Sequence, residues 1–108
     1  MNVNYSDGVK ELGDVYQLAQ KATARLDELL GPEANTATVE WDRSPDYKEH
    51  ILLTLRLRDP IGEVTTQLWS DHLRSVPETE VRLNLLLSGL FGIHVKKRLA
   101  NLDLGGKQ

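Results

Sequence analysis

No cysteine occurs anywhere in the 108 residues. That excludes disulfides, thiolate zinc ligands and a thiol nucleophile within this sequence. Positive charge is also in short supply, with 13 Lys and Arg against 16 Asp and Glu for a formal net charge of −3. A surface for duplex nucleic acid needs a basic field, and the chain as a whole does not supply one. Long apolar runs are missing as well. The longest nearly apolar stretch is Leu85 to Val95, interrupted by Ser88, Gly89, Gly92 and His94. A membrane span needs ~20 apolar residues, so this stretch reads as a helix buried in protein and no membrane partner is expected. Met1-Asn2-Val3-Asn4-Tyr5-Ser6-Asp7 has neither a basic n-region nor an apolar h-region. These residues therefore do not read as a secretory leader, and a cytoplasmic setting is the expectation. No Gly-x-Gly-x-x-Gly or Walker-type loop follows a strand, and no His-x-x-x-His or Glu-x-x-His pair offers metal spacing. No cofactor, metal or catalytic set is expected.

What is present has globular proportions. The apolar fraction is 40% and the charged fraction 27%, enough for one domain with a single modest core. Ser6 or Asp7 caps a first helix. Val9, Leu12, Val15, Tyr16, Ala19, Ala22, Thr23, Leu26, Leu29 and Leu30 then recur at helical spacing, as one apolar stripe ending at Gly31-Pro32. Three strands follow by alternation and β-branched content: Thr36 to Asp42, His50 to Arg58, and Glu63 to Trp69. Ser75-x-x-Glu78 forms a capping box that opens a last helix running to Asn101 or Leu102. The expected fold is α+β in the order α-β-β-β-α, a three-stranded antiparallel meander with both helices packed on one face.

Both hairpin registers follow from matching apolar sides. In the first, Trp41 faces Ile51, Val39 faces Leu53 and Ala37 faces Leu55, leaving Pro45-Asp46-Tyr47 as the loop. In the second, Leu57 meets Val64, Leu55 meets Thr66 and Leu53 meets Leu68, with Arg58 opposite Glu63. Gly62 takes the left-handed position of the intervening turn. A register shifted by one residue would turn Glu63, Thr65 and Gln67 into the core, and burying those polar groups unpaired disfavours it.

The last helix is apolar around most of its circumference, which calls for burial on more than one side. The candidate partner interface comprises Leu83, Leu87, Leu90, Phe91, Gly89, Gly92 and His94, with Ser88 and the glycines admitting a close backbone. Glycine inside a helix costs about 1 kcal/mol relative to alanine, so close packing is a reason for it. On the outer sheet face, Trp69, Leu52, Arg56, His50 and Asp42 form a candidate ligand face, with Asp42 opposite His50. A carboxylate can orient an imidazole, but no nucleophile sits beside this pair.

The element order is similar to that of double-stranded RNA-binding domains. That resemblance, of order alone, implies an RNA-binding reading through Arg56, Arg58, Lys48 and Lys96-Lys97-Arg98. Where that family carries a lysine-rich motif, at the start of the last helix, this sequence has Pro77-Glu78-Thr79-Glu80, which is acidic and repels phosphate. The leading expectation is accordingly a protein-interaction module, adaptor, chaperone-like or regulatory, that works as a homodimer. RNA binding stands second, and a small enzyme using the His50/Asp42 face third.

Overall fold

Alternation in Asn2-Val3-Asn4-Tyr5 places Val3 and Tyr5 on one side, and these four residues form a strand that the expected α-β-β-β-α order lacks. The computed structural model describes residues 1–45 and 50–106, in the order β1 (Asn2–Tyr5), α1 (Asp7–Lys10), α2 (Asp14–Leu30), a 3-10 helix (Gly31–Thr36), β2 (Thr38–Arg43), β3 (Leu52–Arg58), β4 (Glu63–Trp69), α3 (Ser70–Arg74) and α4 (Val76–Gly106). The fold is α+β, but the sheet is four-stranded and mixed, in the order β1-β2-β3-β4. β1 runs parallel to β2, with Val3 beside Val39 and Tyr5 beside Trp41, so α1, α2 and the 3-10 helix make the crossover between them. The meander of β2, β3 and β4 is antiparallel as expected.

The first helix is broken. Gly13 at φ +59 separates α1 from α2, and Gly31 at φ +62 ends α2 at Leu30. Both are conformations that a side chain disfavours. Gly62 is different, because its φ is not positive. The left-handed turn expected there does not form. A Cβ at Gly62 would lie 2.6 Å from the Ile93 side chain, so close approach to α4 is what requires glycine.

The second hairpin has the expected register, with Leu57 opposite Val64, Leu55 opposite Thr66 and Leu53 opposite Leu68. The first does not. Trp41 faces Leu55 and Val39 faces Leu57, so each residue's partner lies four positions further along than the short loop required. An even shift keeps the same side chains inside, which is why the faces survive the change. The observed register also sets Glu40 between Arg56 and Arg58, at 3.4 and 2.9 Å, whereas the expected one set it against Leu52. Residues 46–49, and with them most of the expected loop and Lys48, lie outside the described residues.

All the helices that contribute to the core do so on one side of the sheet. Val9, Val15, Ala19, Ala22 and Leu26 pack with Val39, Trp41, Leu53, Leu55, Leu57 and Leu68, closed by Leu73 from α3 and Leu83, Leu86 and Leu90 from α4. One polar group is buried among them. The Thr23 hydroxyl accepts from Trp41 Nε1 at 2.8 Å and from the Tyr5 hydroxyl at 3.1 Å, and donates to the Ala19 carbonyl at 2.8 Å. One donor and two lone pairs are all used, so the group is fully satisfied. Burial pushes the Tyr5 phenol above its ordinary value, against the lowering effect of its bond to Thr23.

Candidate functional site

α4 has 31 residues and a length of about 46 Å. It starts where Ser75 accepts a hydrogen bond from the Glu78 amide at 3.4 Å, and Thr79 N donates to the Ser75 carbonyl. The molecule measures 57 × 28 × 25 Å with a radius of gyration of 15.8 Å, against about 13 Å for a compact domain of this length. The excess reflects α4, whose residues from Lys96 to Leu102 are all exposed.

Two apolar faces run along this helix on opposite sides. The inward face is Leu83, Leu86 and Leu90, all buried, with Leu87, Ile93 and His94 partly buried beside them. It ends at His94. There the ring Nε2 lies 2.6 Å from Asp59 Oδ2, while Asp59 Oδ1 accepts the Ile61 and Gly62 amides at 2.8 and 2.9 Å. Burial raises the Asp59 carboxyl, but the Gly62 and Ile61 amides and the His94 ring outweigh it and hold the group below its ordinary value. The β3–β4 turn is thereby fastened to the last inward turn of α4.

The outward face is Val81, Leu85, Ser88, Gly92, Val95, Leu99 and Leu102, at successive intervals of four and three residues. Its large members are exposed, Leu85 by 63%, Leu99 by 56% and Leu102 by 63%, and Phe91 on its flank by 67%. A strict four-three alternation is the 3.5-residue repeat of a coiled-coil seam. Beyond His94 the inward positions become Lys97, Ala100 and Asn101, all exposed. The outward stripe continues regardless through Leu99 and Leu102.

The two helix glycines separate along the same line. A Cβ on Gly89 would meet Val64 Cγ1 of β4 at 3.3 Å, whereas a Cβ on Gly92 would meet nothing within 4 Å. The sheet accounts for glycine at 89. Among the described residues nothing accounts for it at 92.

These positions redistribute the expected interface residues. Leu83 and Leu90 are buried in the chain's own core, Leu87 packs against that core, Gly89 abuts β4 and His94 is paired with Asp59. Only Phe91 and Gly92 remain on or beside the free face. The residues that join them, Val81, Leu85, Val95, Leu99 and Leu102, carry their signal in the sequence as a four-three spacing. Beside the stripe a groove of about 400 Å³ separates α4 from the end of α2, lined by Leu29, Leu30 and Phe91 together with the polar Glu33, Asn84 and His94.

The outer sheet face is assembled differently from expectation. Asp42 stands opposite Thr54, not His50, and its carboxylate accepts the Arg43 amide. His50 precedes β3 and sets its ring edge-on to Trp69, with centroids 6.1 Å apart. Leu52, opposite Trp69, is buried. Arg56 is held by Glu40 at 3.4 Å and Glu63 at 3.3 Å. The structure thus brings together Leu52, Trp69 and His50, and separates Asp42 from His50. A polar hollow of about 330 Å³ lies over Asn4, Glu40, Asp42, Thr54 and Arg56. Its guanidinium is already matched by carboxylates. Among the described residues no group of three or more His, Cys, Asp or Glu is placed to hold a metal ion. No helix among them is long and apolar enough to cross a membrane.

Comparison with known proteins finds no family model that matches the chain, and no curated protein or solved structure significantly similar to it.

Proposed function

We propose that this chain is a protein-interaction module whose working form is a homodimer joined through the outward face of α4. The observation that carries this reading is the continuation of the stripe past the body. Val95, Leu99 and Leu102 keep the seam spacing where the helix no longer has a core of its own to cover. A row of exposed aliphatic residues on a helix is a surface awaiting a partner. A two-fold arrangement buries it against its own copy. The body then serves as a mount that holds α4 from its other side, through Leu83, Leu86, Leu90 and the His94–Asp59 pair.

Solution mass by light scattering tests this directly. The expected value is twice the 12.2 kDa of one chain, falling to one chain for Leu85→Asp or Leu99→Asp with the circular-dichroism spectrum unchanged. A single-chain mass for the unaltered protein at high concentration overturns the proposal.

A further inference from the structure

The stripe on α4 also states how two copies would lie, and this step rests on the homodimer reading above. Residue size along it is nearly symmetric. Val81 and Leu85 lie at one end, Ser88 and Gly92 in the middle, and Val95, Leu99 and Leu102 at the other. Read backwards, the order remains large, small, large. Two such stripes running in opposite directions place small against small at the crossing and aliphatic against aliphatic on both sides of it, and set each Leu102 level with the partner's Glu78.

Charge along α4 favours the same direction. Glu78 sits on the line of the stripe one turn before Val81, and Lys96-Lys97-Arg98 lies near the other end. Glu80 is already engaged, by Arg25 at 2.6 Å, which leaves Glu78 as the acidic group of that end. Parallel helices would set Glu78 against Glu78 and the basic run against its own copy. Like charges brought together in that way are unfavourable. Antiparallel helices bring each Glu78 toward the partner's Lys96 instead.

We infer that the partner of the α4 face is a second copy of this chain, laid antiparallel, with Ser88 and Gly92 of the two copies meeting at the crossing. The layers are then Val81 against the partner's Leu99, Leu85 against the partner's Val95, and Ser88 against the partner's Gly92. Phe91 falls beside the two-fold axis and faces its own copy, in the space now open beside Gly92. Glu78 lies on the same flank as the partner's Lys96, about 9 Å from it along the helix axis. The projecting half of each α4 covers the exposed Val81 and Leu85 of the other body. The drift of a 3.5-residue repeat on a 3.6-residue helix makes the crossing shallow and left-handed.

Thiol cross-linking decides the direction, and the natural absence of cysteine leaves no background. Val81→Cys and Leu99→Cys are made separately, on chains of distinguishable mass, and treated with a short bismaleimide alone and mixed after subunit exchange. In the antiparallel dimer, Leu99 of one copy and Leu99 of the other are separated by about 27 Å along the helix, 18 residues at 1.5 Å each. Neither variant then links to itself, and the mixture yields a covalent species at the summed mass of the two chains. Self-linking of Leu99→Cys without a mixed product means a parallel dimer and overturns the inference. A dimer by light scattering with no link in any sample places the interface elsewhere, which overturns the inference and the α4 surface while the homodimer stands. A monomer by light scattering overturns the homodimer reading itself.

Discussion

Leu83, Leu86 and Leu90 on one side of α4 and Val81, Leu85 and Leu99 on the other are chemically alike, yet the first three are buried and the second three exposed. The two rows differ in how long they last. The inward row stops at His94, where the body stops, while the outward row runs two turns further. The inward row has the clustered spacing of a helix lying on a sheet, and the outward row the strict four-three spacing of a helix lying on a helix. Apolar character alone says that a residue wants cover. Its period and its extent say what kind of cover, and whether the same chain provides it.

A pair of truncations tests that difference with the largest expected effect. Leu83→Ala removes a fully buried side chain and should destabilise the fold by ~2–5 kcal/mol in urea denaturation, whatever the state of assembly. Leu99→Ala should leave the stability of the isolated chain within ~0.5 kcal/mol, as for a surface site. Its effect should appear instead as a raised dissociation constant in sedimentation. Equal losses of fold stability at the two positions would erase the distinction between the rows.

The interior of the body can be probed at the buried Thr23 hydroxyl, by contrast with the exposed stripe on α4. Thr23→Val conserves shape but removes the acceptor of the Trp41 indole at 2.8 Å and of the Tyr5 phenol at 3.1 Å. Leaving a buried donor unpaired costs roughly 1–3 kcal/mol. Thr23→Ser keeps the oxygen and should restore most of the loss. The fluorescence of Trp41 should shift in Thr23→Val and return in Thr23→Ser. Equal stability of all three would mean that Tyr5 and Trp41 find other acceptors.

The sequence was most informative where a period of two decides a face. Val39, Trp41, Leu53, Leu55 and Leu57 point inward as their alternation requires, and the second hairpin closes as the rejection of buried Glu63, Thr65 and Gln67 dictated. Alternation is blind to an even shift, so the first hairpin kept its faces while its pairs moved by four residues. β1 carries little strand signal because it has four residues, two of them asparagine, which is depleted in strands. Its place in the fold comes from a distant partner: Tyr5 is held by Thr23, 18 residues away. Gly62 shows a third kind of loss. A turn sequence suggested a backbone conformation, but the reason for glycine is a side chain 31 positions further along, Ile93. On α4 an all-round apolar helix was legible, and the assignment of residues to its two sides was not. That assignment depends on where the sheet lies. Leu83 and Leu90, expected at an interface, are buried in the chain's own core, and the exposed stripe lies on the opposite side of the helix.

The finest test uses the two glycines of α4, where a single methyl group is added. Glycine within a helix is less favourable than alanine by about 1 kcal/mol. At Gly92 the added Cβ meets nothing within 4 Å, so Gly92→Ala should stabilise the isolated chain by up to about that amount. At Gly89 the Cβ meets Val64 Cγ1 at 3.3 Å, a contact that requires β4 to give way, so Gly89→Ala should gain less or lose. Association reverses the order. A methyl at 92 stands in the crossing of the proposed dimer and pushes the helices apart, whereas one at 89 faces the chain's own sheet. Thermal unfolding over a range of protein concentrations separates the two effects. Gly92→Ala should melt above the unaltered protein when dilute and below it when concentrated, because the stabilisation of a dimer grows with concentration. The two curves should cross for Gly92→Ala and run parallel for Gly89→Ala. If Gly92→Ala melts higher at every concentration, no second helix lies over Gly92, and the open space above it is simply solvent.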